Sequence, residues 1–146
     1  MTVGERLLGL DVGGKRIGVA VSDELGLIAS PVGMVLRGGN PAREIADLAR
    51  RYAVGRIIVG LPVGMSGREG TQADDVRTFA GLIEPVVALP IEFWDERLTT
   101  SIAEKSLIAA GSRRDQRRNQ VDSVAAAVIL QGYLDSQRWQ NAKGRR

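Results

Sequence analysis

Residues 7–23 read LLGLDVGGKRIGVAVSD, two apolar runs with Gly13 and Gly14 between them. So short a turn can only fold the second run back antiparallel to the first, because a parallel return needs a crossover of about a dozen residues. The spacing predicts strands over 6–12 and 16–22, joined at the glycines. The hairpin carries a puzzle. Asp11 stands inside its first apolar run, where an unpaired charge is costly to bury.

Further elements follow at regular intervals. A third strand is expected over 27–36, with Pro31 confining it to an edge or breaking it. The turn Gly38-Gly39-Asn40-Pro41 opens a helix, with Asn40 as N-cap and Pro41 as the first helical residue. Ile45, Leu48, Ala49 and Tyr52 then fall on one helical face. Residues 56–62 form a short apolar run of the kind buried in a parallel sheet. After a loop over 63–70, a second helix is expected to be capped by Thr71, with Asp74 approximating a capping box. Its apolar face is Val76, Phe79, Ala80 and Ile83.

A fifth strand over 89–94 runs straight into Asp95-Glu96-Arg97. A helix over 99–110 stops at Gly111, a polar basic segment fills 111–120, and an apolar helix covers 121–134. A hairpin-rich start followed by strand–helix–strand crossovers gives a mixed sheet covered by helices, an α/β layered fold. No repeat or linker divides the chain. One domain is expected over 1–137, with a basic tail of no fixed structure over 138–146.

Two absences limit the chemistry. The 146 residues include no cysteine, which excludes disulfides and thiolate catalysis and suits the cytoplasm. They include no histidine either, which removes the usual general base, the Ser-His-Asp arrangement and the commonest zinc ligand. Acid, base or metal chemistry must therefore run on carboxylates, lysines or hydroxyls. No apolar run is long enough to span a membrane, and MTVGERLL does not read as a signal peptide. A net charge of +3 permits an anionic partner without requiring one.

Three acids stand where a purely structural role explains them poorly. Asp11 lies within the first strand, Glu96 beside Asp95 ends the fifth, and Asp122 lies near the start of the last helix. Ligands of open α/β sheets bind beyond the carboxyl ends of the strands. Ala125-Ala126-Ala127 would let the last helix approach that edge closely. Three converging carboxylates repel one another unless a cation binds between them. An oxygen-only donor set selects Mg²⁺ or Mn²⁺, which suits metal-assisted phosphoryl transfer. Each acid also has an ordinary reading. Asp11 could close the glycine turn, Asp122 could favour a helix N-terminus, and Asp95-Glu96 could pair with Arg97.

Basic residues surround these positions. Lys15 and Arg16 sit at the hairpin tip, and the glycine-rich loop MSGREG offers Ser66 and Arg68 to phosphate oxygens. Arg113, Arg114, Arg117 and Arg118 would steer a nucleic-acid backbone, or else form a solvated loop. Aromatic residues are only 4%, too few for a base-stacking platform, so backbone and shape recognition is favoured. DVGGKR has neither the P-loop spacing nor the following helix of a dinucleotide fingerprint.

Taken together, GLDVGGKRIGVAVSD (9–23), VGLPVGMSGREG (59–70), the helix with Ala73, Val76, Phe79 and Ala80, DERLTTSIAE (95–104) and VDSVAAAVILQGYLD (121–135) resemble the YqgF (RuvX) family. These are Holliday-junction-resolvase-like proteins linked to maturation of pre-16S ribosomal RNA. The blocks cover nearly the whole chain in order. The resemblance implies a ribonuclease-H-like fold, with a five-stranded mixed sheet in order 3-2-1-4-5 flanked by helices. It also implies a nuclease site dependent on Mg²⁺ or Mn²⁺, in which Asp11, Glu96 and Asp122 hold the metal. Strand alternation sends Asp95 and Glu96 to opposite faces without choosing between them; Glu96 is taken as the ligand. Lys15, Arg16, Arg68, Arg97 and Thr99 would position the scissile strand, and Arg113, Arg114, Arg117 and Arg118 its flank.

On this reading the expected function is cleavage of structured or precursor ribosomal RNA at the 5′ end of pre-16S RNA, with a pre-ribosomal particle as context. A Holliday junction or other branched DNA is the alternative substrate, and the chain would act as a monomer or a homodimer. A non-catalytic RNA-binding module for ribosome assembly is the competing class. An actin-like sugar or acetate kinase needs two such domains around ATP, and this chain supplies one.

Overall fold

The computed structural model describes residues 5–63, 70–96 and 114–144, with side chains of the last helix described from Asp122 to Gln140. The hairpin forms as its pattern requires. Strands β1 (Arg6–Val12) and β2 (Arg16–Ser22) pair antiparallel, with Leu10 opposite Val19 and Asp11 opposite Gly18. At the tip, the Gly13 amide donates to the Arg16 carbonyl at 2.9 Å. Strand β3 (Ala29–Leu36) adds antiparallel to β2 and forms the sheet edge. An edge tolerates Pro31, whose missing N–H costs no ladder bond on the open side; the register shifts beside it, between Val19 and Ala20.

Helix α1 (Pro41–Arg51) returns the chain to β4 (Val54–Leu61), which pairs parallel with β1. Helix α2 (Thr71–Val87) does the same for β5 (Ile91–Asp95), parallel to β4. The strand order is β3-β2-β1-β4-β5. The long helix α3 (Arg114–Gly144) closes the described chain. The helix expected over 99–110, with its stop at Gly111, and residues 64–69 lie outside the described residues.

Alternation sorts the two faces of the sheet. Leu8, Leu10, Ile17, Val19, Ile57 and Val59 point to one side and are fully buried among residues of α1 and α2. Each such side chain contributes about 1.5–3 kcal/mol on burial. The opposite face is covered by α3, where Ala126, Leu130 and Tyr133 pack on Ala20, Ile58 and Trp94. Gln131 fastens this helix to the sheet edge: its Oε1 accepts from the Ala29 amide and its Nε2 donates to the Leu27 carbonyl, both at 2.9 Å. On the far side, Tyr133 donates to Glu92 Oε2 at 2.8 Å and meets the Trp94 ring edge-on. Burial, and then the hydrogen bond to Glu92, push the Tyr133 hydroxyl up to about 12.

Glycines set how close α3 can come. A Cβ on Gly18 would lie 1.7 Å from the carbonyl oxygen of Asp122, and one on Gly9 would lie 2.8 Å from Leu130 Cβ. The helix backbone therefore rests directly on β2.

Helix ends depart in part from expectation. Asn40 is the N-cap of α1 and Pro41 its first residue, as expected, but the Asn40 side chain makes no capping bond; its carbonyl accepts the first helical hydrogen bond, from the Glu44 amide at 3.1 Å. The capping box at Thr71 does not form. Gly70, extended at φ −109° and ψ −162°, is the N-cap, and Thr71 is already the first helical residue. The Asp74 amide bonds to the Gly70 carbonyl at 3.0 Å, which starts the helix one residue early. Helix α3 outruns its apolar stretch at both ends, beginning at Arg114 and continuing through Gly144. The flanking segments DQRRNQ and DSQRWQNAK contain no glycine or proline, and most of their residues tolerate helix well.

Because the obstacle at Gly18 is backbone, Gly18→Ala is expected to destabilise the fold by about 3 kcal/mol. Gly14→Ala, where a Cβ meets nothing within 4 Å, is expected to be nearly neutral. Thermal melts of the two variants check this, and equal melting temperatures would refute the close approach.

Candidate active site

The three acids singled out in the sequence come to one sheet face. Asp11 alternates with the inward Leu10 and stands opposite Gly18, so its side chain rises on the α3 side. Asp122 reaches the same place from above, since its own carbonyl rests on Gly18. Glu96 arrives from the end of β5. A Cβ on Gly60 would lie 2.8 Å from Glu96 Oε1 and 2.6 Å from Ile129 Cδ1, which puts Glu96 on the face that α3 covers. Gly60 lies one residue beyond the Leu10–Val59 pair on β4, as Asp11 does on β1. Across the sheet the order is therefore Asp122 over β2, Asp11 on β1, and Glu96 over β4. Asp95 follows Phe93 to the opposite face, by strand alternation.

The acids are not equivalent in their surroundings. Arg16 Nε lies 2.9 Å from Asp122 Oδ2, in an ion pair whose side chains are 37% and 22% exposed. The contact is close but not aligned for a hydrogen bond, so Asp122 Oδ2 is buried with a charged neighbour and no hydrogen-bond donor. Among the described residues no three acidic side chains are grouped so that they could hold a metal ion. The donor set still suits a hard divalent cation: oxygen ligands only, on one face, with one buried carboxylate oxygen left unsatisfied.

Of the expected phosphate contacts, Lys15 is exposed at the hairpin tip and Arg16 is directed to Asp122. Arg68, Arg97, Thr99 and Arg113 lie outside the described residues, as do the side chains of Arg114, Arg117 and Arg118, although their backbone is helical. Asp23, which ends the second apolar run, is occupied structurally. Its Oδ1 accepts from the Leu27 and Ile28 amides at 2.7 and 3.1 Å. Burial alone would raise its carboxyl, but these backbone bonds prevail and lower it.

One arrangement carried no signal in the sequence. Arg37, just past β3, donates to both Asp75 oxygens at 2.8 and 2.7 Å and from Nη1 to the Gly13 carbonyl at 2.9 Å. Its guanidinium lies 5.2 Å from the centre of the Phe79 ring, and its amide donates to the Lys15 carbonyl at 2.9 Å. The hairpin tip is thus clamped to α2 from two sides. No periodicity links residues 13, 37 and 75; only the sheet brings them together.

The family described as "RuvX: Holliday junction resolvase" matches residues 5–136. A protein of Pelotomaculum thermopropionicum named "Putative pre-16S rRNA nuclease" is 47% identical over 135 residues, covering 90% of this chain and 88% of its own. A protein of the same name in Bacillus subtilis strain 168 is 42% identical, covering 90% and 98%. Among solved structures, Thermus thermophilus RuvC in complex with a Holliday junction superposes with a TM-score of 0.57 at 14% identity, over 90% of this chain and 96% of that one. Fowlpox virus resolvase with its junction DNA gives 0.53 at 12% identity, over 90% and 98%. These structural likenesses establish the ribonuclease-H-like fold.

The Arg37 clamp makes a pH-dependent prediction. The side-chain hydrogen bond from Arg37 holds the Asp75 carboxyl below its ordinary range. A carboxylate lowered in the folded state stabilises the fold above its unfolded pKa, and the contribution disappears as pH falls through the folded value. Asp75→Asn is expected to speed amide exchange at Gly13 and Arg37 at neutral pH. Its melting temperature should converge on that of the wild type in acid. Equal exchange rates at neutral pH would show that the clamp does not hold the tip.

Proposed function

The chain belongs to the RuvX family, and from that membership we propose that it is a metal-dependent nuclease acting on precursor ribosomal RNA. The reaction is hydrolysis of phosphodiester bonds, and the place of action is the 5′ end of pre-16S RNA within a pre-ribosomal particle in the cytoplasm. The name shared by its relatives supports the substrate. The observation that carries the chemistry is the succession of Asp122, Asp11 and Glu96 over three neighbouring strands on one face.

In this reading Asp11, Glu96 and Asp122 hold Mg²⁺ or Mn²⁺. When bound, such an ion polarises the phosphoryl oxygen and lowers the pKa of a water. Each carboxylate also has a role in placement. Asp11 is fixed by the two strands that flank it, Glu96 lies over Gly60, and Asp122 is anchored through its own backbone on Gly18. Lys15 and Arg16 at the hairpin tip neutralise the substrate backbone, and Arg68, Arg97, Thr99, Arg113, Arg114, Arg117 and Arg118 extend that contact. A branched DNA junction is the second reading, favoured by the description of the family. A homodimer would suit that symmetric substrate, a monomer the RNA. No helix among the described residues is long and apolar enough to cross a membrane.

The test is cleavage of a pre-16S 5′ extension and of a four-way DNA junction by purified protein with Mn²⁺ or Mg²⁺. RNA cleavage is expected, lost on chelation. Asp11→Asn, Glu96→Gln and Asp122→Asn should each reduce it by on the order of 10²-fold or more. If Asp11→Asn releases the same products at the wild-type rate, the nuclease reading is wrong. Junction cleavage with the RNA spared would reassign the substrate. Tight RNA binding without cleavage under either metal would make the protein a binding module.

A further inference from the structure

We propose that Arg16 is an internal counter-ion that occupies Asp122 in the metal-free protein and must leave it before a divalent cation can bind. The inference rests on the reading of Asp122 as a metal ligand. Arg16 opens β2 two residues before Gly18, so both face α3. The absence of a side chain at Gly18 lets the Asp122 backbone settle there, which brings its carboxylate within reach of Arg16. The guanidinium then covers Oδ2 at 2.9 Å, and that oxygen is buried.

The pairing is one of charge more than of fit. Oδ2 has no hydrogen-bond donor despite the short contact, so the carboxylate keeps an unsatisfied oxygen while its charge is neutralised. Such a contact is close enough to exclude a second cation by like-charge repulsion, and it lacks the directed bonds that would make it hard to displace. It also accounts for the acids sharing a face without being grouped for an ion, since Asp122 is turned to Arg16.

Once displaced, Arg16 has somewhere to go. Its side chain is 37% exposed and next to Lys15 at the tip, where a phosphate diester would accept two parallel bonds from the guanidinium. Cation and phosphate would then each favour the other's binding, because both require Arg16 away from Asp122 and coupling between sites is reciprocal. The chain would thus weaken its own metal affinity until a backbone phosphate takes the arginine.

Mn²⁺ binding measured by electron paramagnetic resonance, with no nucleic acid present, tests this without reference to activity. Arg16→Gln is expected to bind Mn²⁺ about tenfold more tightly than the wild type, and Arg16→Lys, which keeps the charge, to stay within about twofold of it. Circular dichroism establishes that each variant is folded. Equal affinities for Arg16→Gln and wild type, or weaker binding by Arg16→Gln, overturn the inference while leaving the metal site intact. Equal affinities for wild type and Asp122→Asn overturn the metal reading of Asp122, and this inference with it.

Discussion

The contact on which the site depends is the rest of a helix backbone on a strand backbone at Gly18. A side chain at residue 18 would lift α3 off β2 and take Asp122 with it. Gly9 and Gly60 continue the clearance under Leu130 and Ile129. The three glycines lie on the three strands that carry or face the acids, so the packing surface and the proposed site share one face. Close packing there means a small displacement cannot be absorbed locally.

This arrangement answers why Asp11 stands in an apolar run. The run is apolar because Leu8 and Leu10 face α1 and α2, whereas Asp11 belongs to the other periodicity and faces α3 beside a glycine. The charge is not placed in the core. It stands at the end of a strand where the covering helix has just begun to cross, with Arg16 on the neighbouring strand to balance the local field. On the other face Arg37 and Asp75 do for the hairpin tip what Arg16 and Asp122 do above it. One ion pair is bidentate and aligned; the other is close and unaligned. The difference separates a clamp from a contact built to be exchanged.

Much of the fold was legible in the chain because its signals are local. The ends of β1 and β2 follow from the Gly-Gly turn, the edge position of β3 from Pro31, and the inward faces of α1 and α2 from helical spacing. Helix boundaries were less legible. Gly70 displaced Thr71 as the cap, and α3 ran past its apolar stretch into polar residues whose helix preference alternation cannot register. Non-local pairings were legible only where the family resemblance supplied them, as in the strand order; side-chain pairings between distant segments were not. Asp95 and Glu96 could be assigned to opposite faces, but which face held α3 was settled only by Gly60 and Trp94. Arg37 reaches Gly13 and Asp75 across 24 and 38 residues of chain, and no pattern in one sequence connects such positions.

The order of the acids along the chain bears on when the proposed site is completed. Asp11, Glu96 and Asp122 follow one another along the chain in the sequence first strand, last strand, last helix. Synthesis from the N-terminus therefore delivers the element that completes the site after everything it rests on. A chain still missing its final helix holds neither Asp122 nor the roof that Leu130 and Gln131 fasten down. An interrupted copy would therefore lack one of the three proposed ligands together with the backbone contact at Gly18 that places it.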